Sequence, residues 1–363
     1  MIDTTETSGY AKASSLSLAA SLVNTDPGPE YSSSTRLWQG IPGIERTPDG
    51  RFWAVWYSGG DNEGPDNYVQ LVTSDDGALW SDPILIIDPP STIRAFDPVL
   101  WLDPSGRLWL FWAQSDGGFD GRAGLWAITK SQSSSWSQPT RIADGVMMNK
   151  PIVTSNAGWL LPVAVWNHLG TTHEAVDPAA RTSHVVASQD QGNTWQRRGG
   201  VDIPDRCFDE HMIVERRDRS LWMLVRLMDG IGESVSTDGG WTWSPGTKSA
   251  LTTPNARFFI RRTRSGEILL VKHHNYTGRS HLTAFLSDDD GYIWKGGLVL
   301  DERVGVSYPD GIETSDNEFV VIYDYNRFTD KQILTATFTR QDVLDAIASS
   351  PQARMKAIVN AGG

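Results

Sequence analysis

Six stretches of the chain share one pattern, and in five of them the second residue could do chemistry. GIPGIERTPDGRFWAVWY, FDPVLWLDPSGRLWLFWA, NKPIVTSNAGWLLPVAVW, DEHMIVERRDRSLWMLVR, ARFFIRRTRSGEILLVKH and SYPDGIETSDNEFVVIYD align as strand, turn, strand. One column of this alignment reads Ile41, Asp97, Lys150, Glu210, Arg257 and Tyr308. A second, at the end of the following strand, reads Tyr57, Ala113, Val165, Arg226, His273 and Asp324. Carboxylates can take up protons, a phenol can attack or donate, and guanidinium groups hold anions in forked pairs. Solvated strand ends also supply charge, but seldom so mixed a set of acid, base and phenol in one register. Asp97 and Lys150 would either grip a polar substituent of a ligand or neutralise one another. His273, beside His274, is either a proton-transfer group or partly exposed structure.

The elements that must gather such a column are legible as a repeat. SQDQGNTW (Ser188 to Trp195), STDGGWTW (Ser236 to Trp243) and SDDDGYIW (Ser287 to Trp294) share one pattern. TSDDGALW (Thr73 to Trp80) differs in its first residue, and SQSSSWSQP around Trp136 is a degenerate fifth copy. The closing tryptophans recur roughly every fifty to sixty residues, a propeller-blade period. In each octet Asp and Gly make a tight turn, the Asp side chain bonds nearby amides, and Trp plugs the turn from below. The expectation is an all-β, six-bladed β-propeller of four-stranded blades, with the innermost strands lining the central channel and starting near its ligand-binding end. ASSLSLAASLV (Ala13 to Val23) predicts an extra strand closing the ring against the last blade, and QDVLDAIASSPQARMKAI (Gln341 to Ile358) predicts a short C-terminal helix. No compositional break divides residues 1–363, so one domain is expected.

Totals narrow the partners. A formal net charge of −12 lacks the basic footprint that nucleic acid needs. The lone Cys207 allows neither an intramolecular disulfide nor a cysteine-rich metal site. There is no H-E-x-x-H, EF-hand or P-loop pattern, so neither metal nor other cofactor is expected. No apolar run approaches a membrane span. The first residues show no basic start followed by an apolar stretch; the expectation is a cytoplasmic protein, with a trimmed secreted form left open. Sixteen tryptophans suit both a packed core and a sugar-stacking floor.

The octet resembles the Asp-box, S-x-D-x-G-x-x-W, of the sialidases and other BNR-repeat proteins, and it occurs here in three full copies and one near copy. The resemblance implies a Tyr nucleophile paired with a Glu, three arginines holding a substrate carboxylate, and an Asp on a loop after the first blade's strands serving as general acid and base. DEHMIVERRDRSLWMLVR resembles the segment carrying the Glu and an arginine, here Glu210 and Arg226. NYTGRSHLTAFLSDDDGYIW resembles the segment with a further arginine, here Arg279. VSYPDGIETSDNEFVVIYDY resembles the segment with the nucleophile, here Tyr308, and a downstream acid, Asp324. The pairing makes chemical sense. A phenol with a pKa near 10 attacks poorly until a carboxylate takes its proton. A neutral nucleophile also avoids repulsion when the reacting carbon carries a carboxylate.

This chain departs from that pattern at two places. The family's first arginine lies in an Arg-Ile-Pro motif, where this sequence has Gly40-Ile41-Pro42; Arg36, Arg94 and Arg122 are possible replacements. With nothing in that place, common sialosides would be poor substrates. The loop YSGGDNEGPDNYV offers Asp61, Glu63 and Asp66 as general acid, with Glu63 favoured by its spacing to the first Asp-box. The resulting expectation is an exo-acting, retaining glycoside hydrolase with Tyr308, Glu210, Glu63 and Asp61 as catalytic candidates. Arg226, Arg279, Arg257, Asp97, Lys150, His273 and Asp324 are the substrate-binding candidates, and the partner is a carbohydrate. The alternatives are a lyase on a uronate-containing glycan, with Tyr308 or His273 as base, and a non-catalytic glycan-binding propeller.

Overall fold

The computed structural model describes residues 16–132, 134–167, 177–314 and 318–363. These form six antiparallel sheets around one axis. Blade 1 contains Gln39–Arg46, Phe52–Ser58, Tyr68–Ser74 and Leu85–Ile87, and blade 2 Ile93–Leu102, Leu108–Asp116, Gly124–Lys130 and Thr140–Ala143. Blade 3 contains Ile152–Val153, Trp159–Ala164, Ser183–Ser188 and Gln196–Val201, and blade 4 Met212–Glu215, Leu221–Arg226, Ile231–Ser236 and Thr247–Lys248. Blade 5 contains Phe259–Arg262, Ile268–His273, Leu282–Ser287 and Lys295–Asp301. Blade 6 contains Val306–Glu313, Glu318–Tyr325, Gln332–Thr339 and Arg354–Ala361. The first strand of each blade is innermost. The second is sandwiched between neighbouring blades, which is why LWLFWAQSD reads as a continuous run and is buried at every position.

Tryptophans fill the wedges between blades. Trp101 meets Trp159 edge-on at 4.8 Å, and Trp195, which closes an Asp-box, packs edge-on against Trp109 at 6.0 Å. The box turn itself is held by its polar residues. Ser236 Oγ donates to Asp238 Oδ1 at 2.8 Å, and the amides of Trp241 and Thr242 donate to the same oxygen at 2.9 Å each. The Gly240 amide donates to Ser236 Oγ at 2.9 Å, with Gly240 at φ +90°. The Thr242 hydroxyl and this amide ring hold the Asp238 carboxyl down at about 2. Each box joins the third and fourth strands of its blade. By strand direction it therefore lies on the face opposite the starts of the inner strands.

Two sequence expectations are corrected. Of the segment Ala13–Val23, residues 13–15 lie outside the described residues. Only Val23 enters a strand, and it pairs with Ile87 at the outer edge of blade 1, not with the last blade. Blade 6 takes all four strands from the C-terminal segment, so the ring closes by side-chain and terminal contacts. Arg36 donates to Asn360 Oδ1 at 2.9 Å, and the Gly363 amide donates to the Ser33 carbonyl at 2.9 Å. The C-terminal helix spans only Arg340–Asp345. It starts at a Thr339/Asp342 capping box and stops at Ala346, φ +55°. Asp342 then accepts from the Ser349 and Ser350 amides and turns the chain into the outer strand Arg354–Ala361. Pairing that strand with Gln332–Thr339 outweighs the helical period seen in the sequence.

Candidate active site

At the end of the axis where the inner strands begin, a cavity of about 370 Å³ opens. The strands reach it through irregular backbone. Ile41, Asp97, Glu210 and Tyr308 have φ of +59°, +47°, +43° and +54°. In blades 1, 2 and 6 these residues stand where the register with the second strand shifts, and each precedes a proline. A bulge re-aims a side chain that regular pairing would send across the sheet. In blade 4 the same effect comes from a turn in which Phe208, Asp209 and Glu210 are all left-handed. Arg206 fixes it, donating to both Asp209 carboxylate oxygens at 2.7 Å, while Ser183 Oγ adds a third bond at 3.0 Å.

The chemical centre is compact. Buried Arg226 donates to Glu210 Oε1 at 2.5 Å and to Asn255 Oδ1 at 2.6 Å, leaving Glu210 Oε2 buried and without a partner. The Tyr308 ring lies under two guanidinium groups, Arg279 at 5.1 Å and Arg327 at 4.9 Å from its centroid. Burial raises the pKa of the Tyr308 phenol and the Glu210 carboxylate raises it further, while Arg327, Arg226 and Arg279 pull the other way. Arg279 is aligned by Ser307 Oγ at 3.0 Å and by the Asn255 carbonyl. Asp97, buried with Oδ1 unpartnered, has its carboxyl pushed up to about 8 by burial and then by Glu63, so it carries a proton at neutral pH. The rest of the wall is apolar: Ile41, Phe96, Phe119, Met148, Trp166 and Phe208, with Arg94 stacked 4.1 Å from the Phe96 ring centroid.

Of the residues expected from sequence, the cavity gathers Tyr308, Glu210, Glu63, Arg226, Arg279 and Asp97. Five others are placed elsewhere. Asp61 is exposed on the loop that carries Glu63 and does not line the cavity. Lys150 is buried farther down the axis. It bonds to the Leu100 carbonyl at 2.6 Å and the Ile44 carbonyl at 2.5 Å, and it pairs with Asp310 at 3.2 Å and Glu45 at 3.5 Å. Its neutralising partners are therefore these acids and not Asp97. Arg257 is buried behind the site and donates to Asn149 Oδ1 at 2.9 Å; Asn149 in turn donates to the Glu210 carbonyl at 2.7 Å. Arg257 thus braces Glu210 from behind. Asp324 accepts from the Ile41 amide at 2.8 Å and so holds the first-blade bulge. His273 is buried with Nδ1 against the Ser280 carbonyl at 2.9 Å. It lines a separate hollow with Thr252 and Tyr276, and burial lowers its pKa to about 4.

Sequence reasoning did not find Arg327. A Cβ built on Gly40 would overlap Arg327 Cδ and lie 2.8 Å from Arg327 Cγ and from Asp324 Oδ2. The Arg327 guanidinium pairs with Glu63 at 2.6 Å. Of the replacements considered for an arginine at Gly40, Arg94 lines the cavity, Arg36 is buried in the ring closure, and Arg122 is exposed. Arg327, Phe119 and Glu63 all sit in connections between second and third strands, outside both aligned columns. Glu63 was found from its connection in blade 1, and the same connections read in blades 2 and 6 are the signal that would have found Phe119 and Arg327.

The chain was compared with known proteins. The BNR repeat-like domain family matches residues 50–321. A sialidase of Micromonospora viridifaciens is 25% identical over 330 residues, covering 78% of this chain; the chain spans about half (49%) of that relative's length. A protein of unknown function from Dyadobacter fermentans superposes with a TM-score of 0.66 at 16% identity, covering 88% of this chain and 98% of the other. A Hadza microbial sialidase superposes with a TM-score of 0.64 at 17% identity, covering 81% of this chain and 66% of the other. These structural likenesses match the fold. The chain belongs to the BNR repeat-like family of the sialidase superfamily.

Proposed function

We propose that the chain is an exo-acting glycoside hydrolase that removes a terminal sugar bearing a carboxylate, with sialic acid, the substrate in its relative's name, as the first candidate. One observation carries this reading: Tyr308, Glu210 and the guanidinium groups of Arg226, Arg279 and Arg327 converge on one cavity. Glu210 Oε2, buried and unpartnered, is the acceptor for the Tyr308 proton. The freed phenolate oxygen bonds to the anomeric carbon as the glycosidic C–O bond breaks, and Glu63 delivers a proton to the leaving oxygen. Water then enters with Glu63 as base, its oxygen bonds to the anomeric carbon as the bond from that carbon to the Tyr308 oxygen breaks, and the proton on Glu210 returns to the freed Tyr308 phenolate. The cations hold the carboxylate throughout.

The test is product analysis on a panel of glycosides with terminal acidic sugars, followed by NMR. Retained configuration and a free reducing sugar are expected, and Tyr308→Phe abolishes turnover. An unsaturated product absorbing in the ultraviolet assigns a lyase instead, and binding without turnover a glycan-binding propeller.

A further inference from the structure

The cation that lies over Gly40 is tied to an acid of the first-blade loop, and that tie has a use. We propose that Arg327 is a specificity-determining residue: it takes the carboxylate of an acidic substrate in exchange for Glu63, and Gly40 supplies the space that makes this placement possible. The inference rests on the glycosidase reading above and deepens it.

Three observations support it. First, the geometry at Gly40 is exclusive, because even one methyl group there would collide with the Arg327 side chain. The glycine's backbone does not need the left-handed region, so its small size serves the side chains packed against it, Arg327 foremost and Asp324 beside it. Second, the guanidinium is fixed over reactive atoms. It stands 4.9 Å from the Tyr308 ring centroid and 5.5 Å from the Trp38 ring, a seat that limits its freedom before any ligand arrives. With Arg226 and Arg279 it completes a set of three cations acting on Tyr308. Third, its ion-pair partner is replaceable. The Glu63 side chain is 41% exposed, on a loop of Gly, Asn, Asp and Pro residues, whereas that of Arg327 is 16% exposed. A ligand carboxylate entering the cavity can give Arg327 a forked partner in place of its one bond to Glu63, and Glu63 can leave without burying an unpaired charge. Neutral sugars provide no such exchange. They leave Glu63 bound to Arg327 and away from the leaving-group oxygen, whereas an acidic substrate releases the Glu63 carboxylate, which takes up a proton from solvent and then acts as general acid on the sugar that released it.

The experiment measures calorimetric affinity for two unreactive probes, 2-deoxy-2,3-didehydro-N-acetylneuraminic acid and its analogue with the carboxylate reduced to hydroxymethyl. The parent is expected to prefer the acid. Arg327→Ala weakens the acid by about ten- to a hundredfold, the range for a charge-assisted bond, with little change for the alcohol. Gly40→Ala, which touches no ligand, reproduces this loss by displacing Arg327, and Gly40→Ala with Arg327→Ala is no worse than either alone. Glu63→Gln binds the acid probe more tightly than the parent does, because the competitor for Arg327 has lost its charge, although its turnover falls. If the parent prefers the acid and both Arg327→Ala and Gly40→Ala keep that preference, the assignment to Arg327 is overturned and the glycosidase reading stands. Weaker acid binding in Glu63→Gln overturns the exchange. A parent with no preference overturns the acidic-sugar reading, and this inference falls with it.

Discussion

Tyr308 is poised and restrained at once. Burial and Glu210 keep its proton on, while three guanidinium groups favour the phenolate, so the balance tips only when an acceptor takes the proton. Glu210→Gln keeps an oxygen for Arg226 but cannot accept that proton. Turnover should fall by about 10²–10⁴-fold, the usual range for a lost general base, with probe affinity nearly unchanged; an unchanged kcat would remove Glu210 from the role. Asp97 gives a pH signature. In the unfolded chain it ionises near its ordinary 3.8, while in the fold it keeps its proton up to about 8. Its contribution to stability is therefore fully present below pH 4 and is lost progressively as pH rises to about 8. Melting temperatures of Asp97→Asn and the parent should diverge across that window in favour of Asn, then run parallel above it. A difference that is flat from pH 4 to 8 would contradict a protonated Asp97.

The turns and bulges decide which side chains enter the cavity, and there the sequence was readable only in part. The aligned column located Asp97, Glu210 and Tyr308 because all three stand at left-handed positions at equivalent points of their blades. The same column misplaced Lys150 and Arg257 as ligands. Alignment gives register along a strand but not direction, and neither residue is left-handed, so the side chains pass down or behind the channel. Arg327, Phe119 and Trp166 escaped because loops between second and third strands carry no repeat. The Phe208–Glu210 turn is testable as an element. Asp209→Ala leaves Arg206 buried with only Asp202 as an acidic partner. Its cost should fall near the low end of the about 3–5 kcal/mol typical of a broken buried pair. Because the turn aims Glu210, kcat should drop more than affinity for the acid probe. Urea unfolding and steady-state kinetics check both, and a loss of stability with unchanged kcat would show that Glu210 is aimed without the Arg206–Asp209 pair.

At the scale of the ring, five tryptophan turns gave the period and the six aligned strand–turn–strand stretches counted the blades. What holds them together across the axis was not visible, because it depends on one side chain reaching three neighbours. Lys150 leaves blade 3 and bonds to carbonyls of Ile44 in blade 1 and Leu100 in blade 2, and to the Asp310 carboxylate in blade 6. Asp310 also accepts from the Ile44 amide at 2.9 Å, so the acid and the amine lock the same three inner strands. Lys150→Met fills similar volume but leaves the buried Asp310 carboxylate without its cation and two carbonyls without a donor. The expected loss is about 3–5 kcal/mol, measured by urea unfolding through tryptophan fluorescence. Adding Asp310→Asn to Lys150→Met removes the stranded charge and should recover part of that loss, the non-additivity expected of a contacting pair. Since Lys150 does not line the cavity, affinity for the acid probe should stay within about twofold of the parent in molecules that remain folded, well below the loss from a broken charge-assisted bond. A selective loss of probe binding in a stable Lys150→Met protein would instead return this lysine to the site, and would mean that the ligand reaches farther down the axis than the cavity at its mouth.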